Sequence, residues 1–307
     1  MHRSFFVRPL FMLIFCICLL CACNPPADHE ASDEPPVFSP LRVLVPEAPG
    51  TEILGNPPLT LDVSNTDQGY LTARNDSPEK RANLQLQAPD SVLYSYFLEP
   101  GETAVIPFTG GGGNYQITCY QQVSGSQYAA LYAEQIEVIL ENEFLPYIYP
   151  NQYVNFSPES EVSKKALSML PDDAADVEAL DAVYTYVTGS IIYDTEKAAN
   201  VDAGYLPDVD DTLESGTGIC FDYAALMTAM LRSRDIPCKL QIGYSGDIKH
   251  AWIDVYIRSK GWVEGAIVFD GETWQRMDPT FDANSTDKDF IRSFIGDGTN
   301  YTVQFTR

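Results

Sequence analysis

The sequence predicts an α+β protein, with an antiparallel β-sandwich over residues 41–142 followed by a mixed helix-and-strand domain over residues 143–307. Three observations carry that expectation. The first part is a series of short apolar runs broken by turn residues. The second opens with apolar positions at helical spacing and then returns to alternating strands. The composition, 45% hydrophobic and 12% aromatic over 307 residues, is globular and supplies enough apolar surface for two cores.

In the first part the expected strands are 41–45, 59–63, 70–74, 82–87, 92–97, 104–108, 115–121 and 128–140. Between them stand Asn65-Thr66-Asp67-Gln68-Gly69, Asn75-Asp76-Ser77-Pro78 and Glu99-Pro100-Gly101-Glu102, residues that favour tight turns. This spacing suits an immunoglobulin-like sandwich. The glycines at 110–113 are not followed by Gly-Lys-Ser/Thr, so they read as a hairpin turn rather than a phosphate loop.

The chain begins with Arg3 and Arg8 and an apolar stretch over residues 10–20, too short to cross a bilayer comfortably. It ends in Leu20-Cys21-Ala22-Cys23, which resembles the lipobox of bacterial lipoproteins. That resemblance implies a signal peptide at 1–22 and a diacylglycerol on Cys23, and two acyl chains suffice for stable anchoring. A plain cleaved signal and an uncleaved anchor are the alternatives. Residues 23–40 are acidic and proline-rich and read as an extended tether. The expected location is therefore extracytoplasmic, lipid-anchored to the cell envelope.

The formal charge of −24, with 43 acidic residues against 19 lysines and arginines, excludes electrostatic binding of nucleic acid. It equally disfavours docking on an anionic membrane through the protein surface, so the membrane partner is reached through Cys23. Of seven cysteines, Cys16, Cys18 and Cys21 fall in the signal, leaving Cys119, Cys220 and Cys238 in the folded part. An odd number outside the cytoplasm leaves at least one free thiol, and a Cys119–Cys238 disulfide stays open.

Ser157-Pro158-Glu159-Ser160 opens one helix, and Val177, Leu180, Tyr184, Val187 and Ile191 mark the core face of the next. After an acidic, turn-rich stretch, Gly216-Thr217-Gly218-Ile219-Cys220 breaks the chain and starts a helix. Its Phe221, Ala224, Ala225, Met227, Thr228 and Leu231 make it apolar on nearly every side, as in a buried central helix. Pro237 ends it. Cys220 then occupies the first turn, where unpaired amides and the positive dipole end favour a thiolate and can hold an oxyanion.

A strand over 238–244 and another beginning at His250 follow. His250, Trp252, Asp254 and Tyr256 alternate with inward Ala251, Ile253, Val255 and Ile257. A third strand over 273–280 contains Asp278. Pairing the last two antiparallel sets His250 opposite Asp278, Asp254 opposite Trp274 and Ile257 opposite Gly271. A thiol, an imidazole base and an orienting carboxylate are what thiol acyl transfer needs. His2 lies in the signal and His29 in the tether, so His250 is the histidine left for base chemistry; with no second one, a zinc site is unattractive. Trp252 and Asp254 are expected beside the triad, and Asp222 in a packing or capping role. Asp282 falls beyond the Pro279-Thr280 turn and is the weaker candidate for the acid.

Five linked motifs resemble the transglutaminase-like superfamily. They are Gly218-Ile219-Cys220; Leu231-Arg232-Ser233-Arg234-Asp235-Ile236-Pro237; Gly243-Tyr244; His250-Ala251-Trp252; and Trp274 with Asp278-Pro279-Thr280. Ile192-Tyr193-Asp194 matches upstream. The likeness covers roughly residues 157–283 and none of the sandwich; the stretch 261–271 is longer than in many relatives and suggests an extra hairpin. The resemblance implies a papain-like core and a Cys220–His250–Asp278 triad acting without cofactor on protein or peptide amides of the envelope. No loop like the calcium site of some animal transglutaminases is recognisable. A cysteine peptidase of the same fold and a non-catalytic surface protein are the other two readings.

Overall fold

The computed structural model describes residues 34–265, 267–269, 274–276 and 301–307. The signal segment, Cys23, most of the tether, Asp278 and Asp282 lie outside them.

Eight strands form the first half: β1 (Ile53–Asn56), β2 (Leu59–Asp62), β3 (Tyr70–Asn75), β4 (Ala82–Gln87), β5 (Leu93–Leu98), β6 (Thr103–Pro107), β7 (Gly113–Ser124) and β8 (Gln127–Val138). They make two antiparallel sheets, β1-β2-β3-β6 and β5-β4-β7-β8. Alternation decides the packing: Leu59, Leu61, Leu71 and Ile106 of one sheet share a core with Leu84, Tyr96, Ile117 and Cys119 of the other.

Two local expectations fail here. Residues 41–45 form no strand, because Pro40 and Pro46 bracket them and offer no ladder N–H; Val43 and Leu44 are buried without pairing. The first strand is instead β1, which pairs with β2. The glycines at 110–113 do not close a hairpin: they carry the chain from β6 in one sheet to β7 in the other. A turn bond from Gly111 N–H to Phe108 O (3.2 Å) and one from the Tyr115 hydroxyl to Gly111 O (2.8 Å) fix that crossing.

The second half contains α1 (Glu161–Met169), α2 (Asp176–Ser190), β9 (Ile192–Tyr193), α3 (Thr195–Asn200), α4 (Val209–Ser215), β10 (Thr217–Gly218) and α5 (Cys220–Arg232). Then come β11 (Cys238–Ser245), β12 (Ile248–Ile257), β13 (Gly261–Val263), β14 (Ile267–Phe269), β15 (Trp274–Arg276) and β16 (Tyr301–Thr306). The main sheet runs β13-β12-β11-β16, and among the described residues β14 pairs with β15 in a separate ribbon. From Asp222 onward α5 is buried throughout. It packs Ala225, Leu226 and Ala229 into one core with Leu240, Ile253 and Val255, while α1, α2 and α4 enclose it. Each leucine-sized side chain so buried contributes about 1.5–3 kcal/mol.

The expected pairing of β12 with the 273–280 strand is not formed at its described positions. Lys260 N–H bonds Ile257 O at 2.7 Å and Gly261 takes φ +88°, so the chain reverses at once and Ile257 faces Gly261 rather than Gly271. Trp274 faces Phe269 rather than Asp254. The 261–271 stretch thus gives one strand to the main sheet and one to a separate ribbon.

The closing strand ties the halves together. Arg307, only 3% exposed, donates to the hydroxyls of Tyr96 (3.0 Å) and Tyr153 (3.3 Å), with its guanidinium 4.2 Å from the Tyr153 ring centre and 4.7 Å from that of Tyr94. Tyr94 and Tyr96 belong to β5 of the sandwich. Glu34 and Phe38, at the end of the expected tether, also touch folded structure: Asn142 donates to Glu34 O at 2.7 Å and Phe38 N–H to Asp235 at 3.2 Å.

Candidate active site

Cys220 is the first residue of α5 and half-buried. Two neighbouring motifs hold the entry to that helix. β9 and β10 pair in parallel, Ile192 against Thr217 and Tyr193 against Gly218, with Asp194 N–H closing on Gly218 O at 2.9 Å. Thus Ile192-Tyr193-Asp194 and Gly218-Ile219-Cys220, far apart in sequence, form one bridge. Asp222 lies fully buried in the first turn and reaches back to Ile219 N–H at 2.7 Å, capping the helix. A Cβ on Gly218 would come within 2.6 Å of the Asp222 Cβ, so the glycine is what lets the carboxylate fold back.

His250 is 6% exposed, near the start of β12. Its ring lies 6.2 Å from that of Trp252 at 22° between planes, and 6.2 Å from that of Tyr301 on β16. Gly243 faces His250 across β11 and β12, and a side chain there would meet the Thr302 carbonyl and the Trp252 ring, so Gly243-Tyr244 marks where β16 crosses closely. Trp252 packs beside the histidine as the sequence suggests. Asp254 does not: it lies about 13 Å further along the strand. Its oxygens accept from Gln241 Nε2 at 2.6 Å and Gly265 N–H at 2.8 Å, and burial raises its carboxyl above the usual range. It holds the β13 end of the sheet rather than the imidazole.

Cys238 Sγ sits 3.6 Å from Thr228 Oγ1, a contact between β11 and the middle of α5. Ile242 of β11 pairs with Ala251, the neighbour of His250. Cys220 packs on the core that includes Ala251, while His250 alternates to the face carrying Trp252 and Tyr301. Among the described residues β13 covers β12 only from Val255 to Ile257, leaving the strand edge open beside His250.

The three thiols differ. Cys119 and Cys238 are fully buried and free, and desolvation pushes them up to about 11 and about 12 respectively. No disulfide joins them, and as neutral thiols at pH 7 they are inert. Cys220 alone of the three reaches solvent. No group of metal-ligating side chains occurs among the described residues, nor any helix there long and apolar enough to cross a membrane.

What the sequence did not reveal is the support around Asp222. Lys197 Nζ lies 2.8 Å from its Oδ2, and the Tyr205 hydroxyl donates to its Oδ1 at 2.5 Å. The signal was limited to an isolated lysine in an acidic stretch.

Among solved structures the chain is similar to a candidate cysteine protease from Cytophaga hutchinsonii, at 14% identity and TM-score 0.36, covering 69% of this chain and 74% of that one. It is similar also to a candidate protease from Parabacteroides distasonis, at 11% identity and TM-score 0.29, covering 63% and 42%. Red sea bream transglutaminase follows at 13% and 0.26, covering 69% and 48%. No curated protein matches. The family model for the transglutaminase-like superfamily matches from Lys164 in α1, through the cysteine helix and the histidine strand, to Pro279. The segment 164–279 belongs to the transglutaminase-like superfamily.

Proposed function

We propose that the chain is a thiol enzyme that attacks protein or peptide amides through Cys220, with His250 as base and Asp278 orienting the histidine. The observation that carries this reading is the contrast among the free thiols: two are sealed in cores, and the third tops the buried helix α5. Cys220 Sγ adds to the amide carbonyl as His250 accepts the thiol proton. The imidazolium passes that proton to the leaving nitrogen as the C–N bond breaks, giving a thioester. Water or an amine then adds, yielding its proton to His250, which returns it to the departing sulfur. Ile219 N–H is taken by Asp222, so the first-turn amides of Cys220 and Phe221 are those an oxyanion would meet.

A direct test incubates the soluble form with a protein mixture and a primary amine and reads the products by mass spectrometry. Amine-modified or deamidated glutamines, absent with Cys220→Ser, are the expected result. New peptide termini would transfer the assignment to a peptidase of the same fold. Identical products from the wild type and Cys220→Ser would overturn the enzymatic reading.

We further propose that Cys23 carries a lipid and holds the enzyme at the envelope surface, supported by the lipobox-like Leu20-Cys21-Ala22-Cys23. Cys23→Ser is expected to shift the protein from the membrane to the soluble fraction and to abolish labelling by radioactive palmitate. Unchanged labelling would refute the lipid.

A further inference from the structure

The carboxylate beneath the nucleophile poses an electrostatic problem. Asp222 is 0% exposed, two residues after Cys220 in the same helical turn, and it already occupies the tip amide at Ile219. A bare carboxylate there would oppose a thiolate and consume the positive end of the helix. The fold brings a cation to it. Asp194, held by the β9–β10 bridge, accepts Lys197 N–H at 2.8 Å and starts α3. α3 in turn aims Lys197 Nζ at Asp222 Oδ2 (2.8 Å) and at the Tyr205 hydroxyl (2.7 Å). Tyr205 completes the ring by donating to Asp222 Oδ1 at 2.5 Å, and its own ring stands edge-on to Phe221, 6.3 Å away, beside Cys220.

We propose that Lys197 is a positioning residue for Cys220: it neutralises Asp222, so that the carboxylate braces the helix tip without opposing the thiolate, and with Tyr205 it fastens the 201–207 loop beside the nucleophile. The proposal rests on Cys220 being the nucleophile. Around this end of α5 stand, among the described residues, Asp222 and Tyr223 of the helix itself, Tyr193 of β9, Lys197 of α3 and Tyr205 of the loop, and Lys197 is the cation paired with Asp222. Burial works against that charge, but the hydrogen bonds to Asp222 and Tyr205 more than offset it and leave the ammonium's pKa raised. Tyr205 is pushed up to about 12, by burial first and by its bond to Asp222 second, so it stays a neutral donor.

The test is the pH profile of Cys220 alkylation by iodoacetamide in the full chain, read by peptide mass spectrometry. Lys197→Met is expected to slow alkylation at pH 7 by about tenfold and move the half-maximal rate to higher pH, one neighbouring charge being worth about that much in a partly buried site. Lys197→Arg should restore most of the rate, which a loss of packing alone would not predict. Superimposable wild-type and Lys197→Met profiles, or an arginine variant as slow as the methionine one, would overturn the proposal. If Lys197→Met unfolds, Cys119 and Cys238 become alkylated as well, and Asp222→Asn decides. It keeps an oxygen for Ile219 N–H and should move the profile to lower pH; an unchanged profile counts against the charge argument. A wild-type Cys220 no more reactive than glutathione would instead refute the nucleophile assignment, an outcome separate from any difference between the variants.

Discussion

Arg232→Met is expected to lower the free energy of unfolding by about 3–5 kcal/mol, because it strands buried carbonyls that the guanidinium now satisfies. Arg232 closes α5 and is fully buried. Its Nε and Nη2 donate to Cys238 O at 3.0 and 2.8 Å, Nη2 also to Arg307 O at 2.9 Å, and Nη1 to Tyr149 O at 2.8 Å. One side chain thus joins α5 to β11, to the closing strand and to the segment leaving the sandwich. Desolvation lowers its pKa only to about 10, so it stays charged at pH 7. Methionine fills similar volume without donors; lysine keeps the charge but cannot span three carbonyl groups, and is expected to cost about 2 kcal/mol. Urea unfolding provides the check, with the midpoint falling and the slope unchanged. A loss below about 1 kcal/mol for Arg232→Met would show that water replaces the guanidinium at these carbonyls.

The same arginine shows what could be read in advance. Leu231-Arg232 was legible as a motif and α5 as a buried helix, because apolar residues on every side admit few other solutions. The positions of Cys220 and His250 at a helix start and near a strand start followed from local pattern. What sequence periodicity does not encode is which strand answers which. Reversal at Gly261 depends on a left-handed backbone that glycine permits but does not announce, and at 274–276, the described part of the expected strand, the ladder against β12 is replaced by one with β14. The 41–45 segment had the residues of a strand, and its flanking prolines removed the ladder. Asp254 was on the expected strand face, yet strand rise carries it too far to touch the imidazole. Lys197 was invisible for a different reason: an ion pair between positions 25 residues apart in sequence has no periodic signature.

Asp235→Asn is expected to stabilise the protein at pH 8 by about 1–2 kcal/mol while leaving it little changed near pH 4. Asp235 follows α5 at φ +58°, fully buried, with Oδ2 accepting Phe38 N–H and Oδ1 meeting no partner among the described residues. Burial pushes its carboxyl up to about 7, against the pull of Arg258, Arg42 and Arg234. A carboxyl raised in the fold holds a proton between about pH 4 and 7 that the unfolded chain has already released. Its contribution is therefore fully present below about pH 4 and is lost as pH rises through about 7, the reverse of an acid stabilised by ion pairing. A shift of this size would correspond to about 4 kcal/mol if nothing relaxed. The adjoining cavity of about 200 Å³, lined by Phe38, Arg234 and Arg258, gives room for water and reduces the penalty. Asparagine is neutral, tolerates the left-handed backbone and retains the acceptor for Phe38, so it keeps the contact and discards the pH-dependent cost. Measuring the difference between variant and wild type at pH 4 and pH 8 cancels the titration of the other carboxylates. A difference equal at both pH values would show that Asp235 remains ionised throughout, with its orphan oxygen hydrated through that cavity.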